Sequence, residues 1–365
     1  MKLEVIGLAG GEVLIYGAGM SGLVAACNLA NEGYDVLVRE KESSWGGSSV
    51  FNPSTHTTPM DLNATSEYIG IDIAPAFHEV STLAIYLHDY KIPAPVFMAY
   101  HVERSSRPQS LDALLYSKCV EAGVKFEFNT PLRKEDLGSL PDRTIIACGL
   151  NHAAYNDLGV PYKEWYAWMA RGEVEHDNDA WIWMDECVNE YGYISYCNDM
   201  YYNLLFSYGQ EVTRDDLDRY RSFMSRMEGV EEENWEYVRG AAPVVSPDNP
   251  QLFRDRFIMC GTMSGCLDPF MGFGISGALV SGKVAATAVS DPQKALEEFD
   301  RFTRNYAMVY NFKQEVWYPL RARVDLLEDL ANILGPERTI KLFIEALRKG
   351  RKNSAIPGFS PLSCS

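Results

Sequence analysis

The sequence predicts an α/β chain, α+β overall: a Rossmann-type dinucleotide-binding domain, an inserted antiparallel-sheet domain and a set of C-terminal helices. Three observations predict it. An apolar run at 12–16 leads straight into Gly17-Ala18-Gly19-Met20-Ser21-Gly22 and a helical stretch. Aromatic residues alternate through 163–210, and apolar residues recur at helical spacing beyond residue 290.

The first unit is the most informative. Glu12–Tyr16 suits a buried parallel strand, because its residues are apolar on both faces. The glycines that follow have separate tasks: Gly17 permits the strand-to-helix turn, Gly19 lets a pyrophosphate approach the backbone, and Gly22 permits close helix–strand packing. Met20 and Ser21 complete the loop that enters the helix 23–30, whose unpaired N–H groups and partial positive charge favour a diphosphate. Gly33 ends that helix, 34–39 reads as the second strand, and Glu40 follows 18 residues beyond Gly22, placed to accept from ribose hydroxyls.

Composition narrows the remaining classes. With 365 residues, 47% of them hydrophobic, the chain has material for two or three domains. A net charge of -17 argues against nucleic acid, whose phosphates need clustered Lys and Arg for neutralisation. Eight cysteines form no C-x-x-C pair, and no signal peptide is read at the N-terminus, so mostly buried thiols in a reducing cytoplasm are expected; Cys260 and Cys266 are close enough to be considered as a redox pair. The six scattered histidines lack metal-site spacing, so no metal is expected. No run reaches the ~20 apolar residues of a membrane span.

The continuation Glu40-Lys41-Glu42-Ser43-Ser44-Trp45-Gly46-Gly47 resembles the glutathione-reductase-type FAD proteins, in which Lys41 and the pair Gly46 and Gly47 flank the cofactor. Thr144–Gly149 resembles the segment by which such chains return to the FAD domain, ending at Gly149. Phe257–Gly261, then Pro269, Met271, Gly272, Gly274, Ile275, Ser281, Gly282, Ala285 and Ala286, resemble the later part of the p-hydroxybenzoate-hydroxylase-like flavoproteins, and most closely the geranylgeranyl-reductase-related group. The resemblance covers roughly half the chain. It implies FAD, held also by Gly261, by the loop Met271–Ile275, and by an arginine before the helix at Leu111, Arg104 or Arg107, of which Arg107 is the candidate. It places the FAD-binding domain at 1–50, 101–155 and 245–290, a substrate domain at 51–100 and 156–244, and a helical region at 291–365.

The departures bear on the reaction. Thr262 stands where the group carries an aspartate, and Asp268 is the candidate to replace it. The group's signature near Tyr193–Asn198 keeps only its tyrosine, and Trp181-Ile182-Trp183 fits alternation along one strand better than the tryptophan motif of the flavin halogenases.

On the substrate side, 163–210 carries many tyrosines, which suit an amphipathic pocket for a hydrophobic or aromatic small molecule as well as a domain core. His56, in the segment 52–59 with prolines near both ends, is the candidate proton donor or acceptor; the competing role is that of a plain loop histidine. Helices are expected at 293–304, 322–334 and 337–349, with an irregular tail from 353. The basic cluster 348–352 suits a helix C-terminus, or a peripheral membrane contact.

Three functions compete. The first is an FAD-dependent reductase or dehydrogenase acting on a carbon–carbon bond. The second is a flavin monooxygenase drawing on NAD(P)H as a transient electron donor. The third is a non-enzymatic prenyl-binding escort on the same fold. Oligomeric state is left open.

Overall fold

A computed structural model describes residues 11–94, 96, 99–321, 333, 335, 338, 358–360 and 362. The apolar strand Glu12–Tyr16 is central in a six-stranded sheet ordered Phe253–Arg254, Phe257–Met259, Ile145–Ile146, Glu12–Tyr16, Asp35–Arg39, Lys125–Glu127. All neighbours pair parallel except the edge hairpin of Phe253–Arg254 with Phe257–Met259. The helix Met20–Asn31 crosses from the first strand to the second and buries ten of its twelve residues. It packs on the helix Ile275–Ser290, where a Cβ on Gly282 would lie 2.5 Å from the Ser21 carbonyl oxygen. The Gly/Ala/Ser composition of 275–290 is therefore what lets two backbones meet.

The helix Leu111–Glu121 is capped by the Ser110 hydroxyl, which accepts from Ala113 N, and carries Asp112 in its first turn, as helix-end electrostatics favour. It leads to the edge strand Lys125–Glu127.

The second large sheet has seven strands, ordered Glu236–Ala242, Lys163–Glu173, Met200–Tyr208, Tyr191–Cys197, Asp179–Met184, Thr82–Leu87, Tyr90–Pro93. It is antiparallel except that Thr82–Leu87 runs parallel to Asp179–Met184. Strand alternation divides the aromatic residues between its two faces. Trp181, Trp183 and Tyr196 form a core with Tyr220 of the amphipathic helix Arg214–Glu228, while Trp165, Tyr193, Tyr202 and Phe206 point the other way. The two tryptophans at 181 and 183 are thus packing residues, as strand alternation predicts.

A three-stranded sheet, Ser54–Pro59, Ala99–Arg104 and Phe77–Glu79, joins the two large ones. The histidine-bearing segment expected as a loop is its edge strand: Ser54 through Pro59 register against Arg104 through Ala99. Thr and Ser side chains explain why this polar stretch can be strand. Thr55 Oγ1 lies 2.5 Å from Ser195 Oγ, and Ser195 Oγ donates to the Thr55 carbonyl at 3.0 Å, fastening the strand to Tyr191–Cys197.

Beyond residue 290, Pro292–Thr303 is helical, followed by Tyr306–Phe312, a π-helical turn Lys313–Trp317, and Tyr318–Arg321. The expected helices 322–334 and 337–349, the basic cluster and most of the tail lie outside the described residues, except for isolated positions. No described helix is long and apolar enough to cross a membrane.

Candidate functional site: a dinucleotide cleft opening onto an aromatic chamber

A cleft of about 500 Å³ runs from the C-terminal end of the parallel sheet to the inner face of the seven-stranded sheet. Ligands of open α/β sheets bind at that end of the strands. The glycine loop forms one wall. Gly17 has φ +110, and a Cβ there would sit 2.3 Å from the Ala147 carbonyl oxygen. Gly22 does not line the cleft; its Cβ would fall 2.0 Å from the Gly17 carbonyl oxygen, so it serves the turn from behind. A Cβ on Gly19 or Gly149 would meet no protein atom within 4 Å, although both line the cleft. Their backbone is bare toward a ligand.

Glu40 is 5% exposed, and its carboxylate accepts from Ala18 N at 2.7 Å and Glu42 N at 2.9 Å. Two backbone donors hold it at the strand end, leaving lone pairs for hydroxyls. Arg39 and Lys41 line the cleft beside it, as do Met20, Ser21 and Gly47. Gly46 supports this wall without lining it: its carbonyl accepts from Asn52 Nδ2, and a Cβ would strike the Ser105 backbone at 2.9 Å.

At the far end, Gly261, Met271, Gly272, Gly274 and Ile275 all line the cleft. The helix Ile275–Ser290 has Gly274 as N-cap with no side-chain cap, so its first N–H groups are free of intrahelical partners. Gly261 N donates to Ser281 Oγ at 2.8 Å, which fixes the loop to that helix.

Two candidates are relocated by the structure. Arg107 does not line the cleft: its guanidinium donates to the Asn198 carbonyl at 3.1 Å and pairs with Glu103 at 3.5 Å. Of the two arginines ahead of that helix, Arg104 is the one that lines the cleft, held by Asp112 through two bonds of 2.9 Å. Both arginines precede the same helix, and only the strand register, unreadable in spacing, tells which faces inward. Asp268 also misses the cleft. Its buried carboxylate accepts from Phe270 N at 3.1 Å, Met271 N at 2.7 Å and Gly358 N at 2.7 Å. It is the strut of the 268–272 loop, not a group that can reach substrate, and burial pushes its pKa up.

His56 lines the chamber end with Tyr193, Tyr202, Phe206 and Tyr208. Ser54 Oγ donates to Asn52 Oδ1 at 2.9 Å and so accepts from His56 Nε2, also at 2.9 Å. That ordering leaves Nδ1 as the ring's acceptor. Burial, then the Arg104 charge, lowers the His56 pKa to about 3, so the ring is neutral. His101, not singled out by the sequence, lies behind Thr57 on the neighbouring strand and is 0% exposed. Only the pairing of two strands brings it there.

Burial is the main cause that lowers the His101 pKa to about 4. Below the ordinary value of ~6.5 the unfolded chain binds a proton that the folded chain refuses, so stability falls as pH falls through 6.5 toward 4. The expected loss at pH 4 from this group is about 3 kcal/mol. Denaturant titrations from pH 7 to pH 4 check it: His101→Gln should flatten the slope, and an unchanged slope would remove His101 as its source.

Cys260 and Cys266 are buried free thiols, each raised to about 12 by burial, which makes them unreactive. Among the described residues, no group of three or more His, Cys, Asp or Glu is placed to hold a metal ion.

Comparison with known proteins fits this geometry. A family model described as an NAD(P)-binding Rossmann-like domain matches residues 15–68. The flavin-containing monooxygenase FMO GS-OX2 of Arabidopsis thaliana is 38% identical over 58 residues, 16% of this chain and 13% of that protein's length. The crystal structure of a geranylgeranyl bacteriochlorophyll reductase-like protein from Thermoplasma acidophilum matches at TM-score 0.66 and 17% identity, over 93% of this chain and 96% of that one. The p-nitrophenol 4-monooxygenase PnpA from Pseudomonas putida matches at TM-score 0.59 and 15% identity, over 93% and 98%. The chain thus has the fold of the flavoproteins with a Rossmann-type dinucleotide-binding domain and a sheet-built second domain. Over nearly its whole length the architecture matches that of the geranylgeranyl bacteriochlorophyll reductase-like structure.

Proposed function

We propose that the chain binds FAD and is an oxidoreductase that reduces or dehydrogenates a carbon–carbon bond of a hydrophobic small molecule. The carrying observation is one continuous cleft: bare glycine backbone and a capped-off Glu40 at one end, an aromatic chamber at the other. Gly17, Gly19, Met20 and Ser21 would hold the diphosphate, Glu40 the ribose, and Gly261, Gly274 and Ile275 the ring end. When bound, FAD supplies the two-electron redox chemistry.

The chain's own residues shape the rest. Trp165, Ile182 and Phe206 exclude water from the chamber. His56, neutral and with Nε2 engaged by Ser54, has Nδ1 left to take a proton from a substrate carbon. Taking that proton makes the same imidazolium from which donation to a carbanion would start, so burial weighs equally on reduction and dehydrogenation. The monooxygenase reading, with NAD(P)H and O2, draws support from the names of FMO GS-OX2 and PnpA.

The test has two parts. The purified chain should take up one FAD, with absorbance near ~450 nm; a chain that stays colourless after FAD addition overturns the reading and favours the escort. Anaerobic turnover in a screen of alkenes and saturated analogues supports it, whereas NADPH oxidation that requires oxygen selects the monooxygenase. In the active assay, His56→Ala should retain FAD and lose at least ~100-fold in turnover, as loss of a general base does. Wild-type turnover in that variant dismisses His56.

A further inference from the structure

This inference rests on the proposed reading of the cleft and concerns what its chamber selects. The charged side chains among the cleft-lining residues are Arg39, Glu40, Lys41 and Arg104. The first three flank the glycine loop, and the fourth is matched by Asp112. The aromatic walls hold none, so a charged reacting group would be desolvated there without a partner.

One hydroxyl in those walls has a fixed polarity. The Asn178 carbonyl can only accept, so His101 Nε2, 3.0 Å away, carries the ring proton. A neutral His101 then presents a bare Nδ1, which must accept from Thr57 Oγ1 at 3.1 Å. Thr57 Oγ1 has spent its proton and accepts from Tyr193 Oη at 3.0 Å. Thr57 N also donates to Tyr193 Oη, at 2.5 Å. Tyr193 has therefore given away its single proton and already accepts one bond, so the second lone pair of its oxygen can only accept. Tyr193 and Thr57 both line the cleft, while His101 is sealed behind them.

We infer that Tyr193 Oη is a specificity-determining acceptor, and that the chamber selects an uncharged apolar molecule bearing a hydroxyl or N–H against the matched ether or ketone. A ligand that brings only another acceptor leaves two oxygens facing each other, and an unmade buried hydrogen bond costs more than a made one returns.

The test uses the full chain loaded with FAD, titrated calorimetrically with 2-naphthol and 2-methoxynaphthalene. The ether has the larger apolar surface and would bind at least as well if burial alone decided. Expected instead is at least ~10-fold tighter binding of the naphthol, the equivalent of one net hydrogen bond. Tyr193→Phe should remove the difference. Thr57→Val should free the tyrosine proton and raise the ether's affinity, a change that a purely structural role for Thr57 would not produce. Equal binding, no saturable binding of either probe, or an unchanged preference in Thr57→Val overturns the inference. FAD uptake is measured first; if it fails, the cofactor reading falls and the same pair is titrated on the FAD-free chain, where equal binding again overturns this inference alone.

Discussion

Alanine at Gly22 is expected to cost about 3 kcal/mol, the upper part of the range for overpacking a close contact, and to weaken FAD binding at least ~100-fold. The added Cβ would lie 2.0 Å from the Gly17 carbonyl oxygen and 3.2 Å from the Ala147 Cβ. Neither obstacle is the end of a flexible side chain: one is the turn itself, the other the neighbouring strand's exit. Relief must move the glycine loop, and with it the surface offered to the diphosphate. Gly33→Ala is the matched control. Gly33 has φ +91 but open space around its Cβ, so its substitution should cost only the ~1–2 kcal/mol of a left-handed backbone. Denaturation midpoints and FAD titrations on both variants check the contrast. Equal losses at the two positions would mean that backbone strain, not crowding, governs this unit.

Lys313→Met should be nearly as damaging, at about 3–5 kcal/mol, the usual result of leaving one partner of a buried ion pair behind. Lys313 Nζ lies 2.7 Å from Glu190 Oε2 and 2.7 Å from the Phe270 carbonyl, and both residues are under 3% exposed. The substitution strands a carboxylate whose other oxygen is held by the Tyr318 hydroxyl. It also removes the donor to the 268–272 loop that lines the cleft through Met271 and Gly272. Lys313→Met combined with Glu190→Gln should recover most of the stability, since replacing a whole buried pair is often neutral. FAD affinity should stay reduced in the double variant, because the loop still lacks its donor. A single variant within ~1 kcal/mol of wild type would place this pair among the weak surface bridges.

The glycine-loop end of the cleft was legible in the sequence because its physics is local. Strand, turn, helix and acid lie within residues 12–40, and the side-chain types needed there are dictated by neighbours in the chain. The same holds for the small residues of 275–290, where only a glycine at 282 permits the observed approach to Ser21 and Val24. Arg107 and Asp268 were misplaced for the opposite reason. Whether an arginine faces a cleft or the Asn198 carbonyl depends on a contact 91 positions away, and Asp268 is committed to Gly358 across 90. His101 was invisible because its place behind Thr57 comes from strand pairing, not from any motif. The segment 52–59 carries prolines and polar residues that suit a loop; its strand is made by pairing with Ala99–Arg104 and by hydroxyl bonds to Ser195, neither of which periodicity encodes.

The contact between Met20–Asn31 and Ile275–Ser290 bears on how the chain is made. The first helix is apolar on nearly every side, and its cover is encoded some 250 positions later; one bond between the two, Lys283 to Asn28, spans 255. At ribosomal rates of roughly 5–20 residues per second, that partner follows on the order of 10–50 s later. During this interval the dinucleotide unit leaves the ribosome with an uncovered sticky face. Overexpression at high temperature should therefore load the insoluble fraction first, and co-expressed chaperones should reduce that loss.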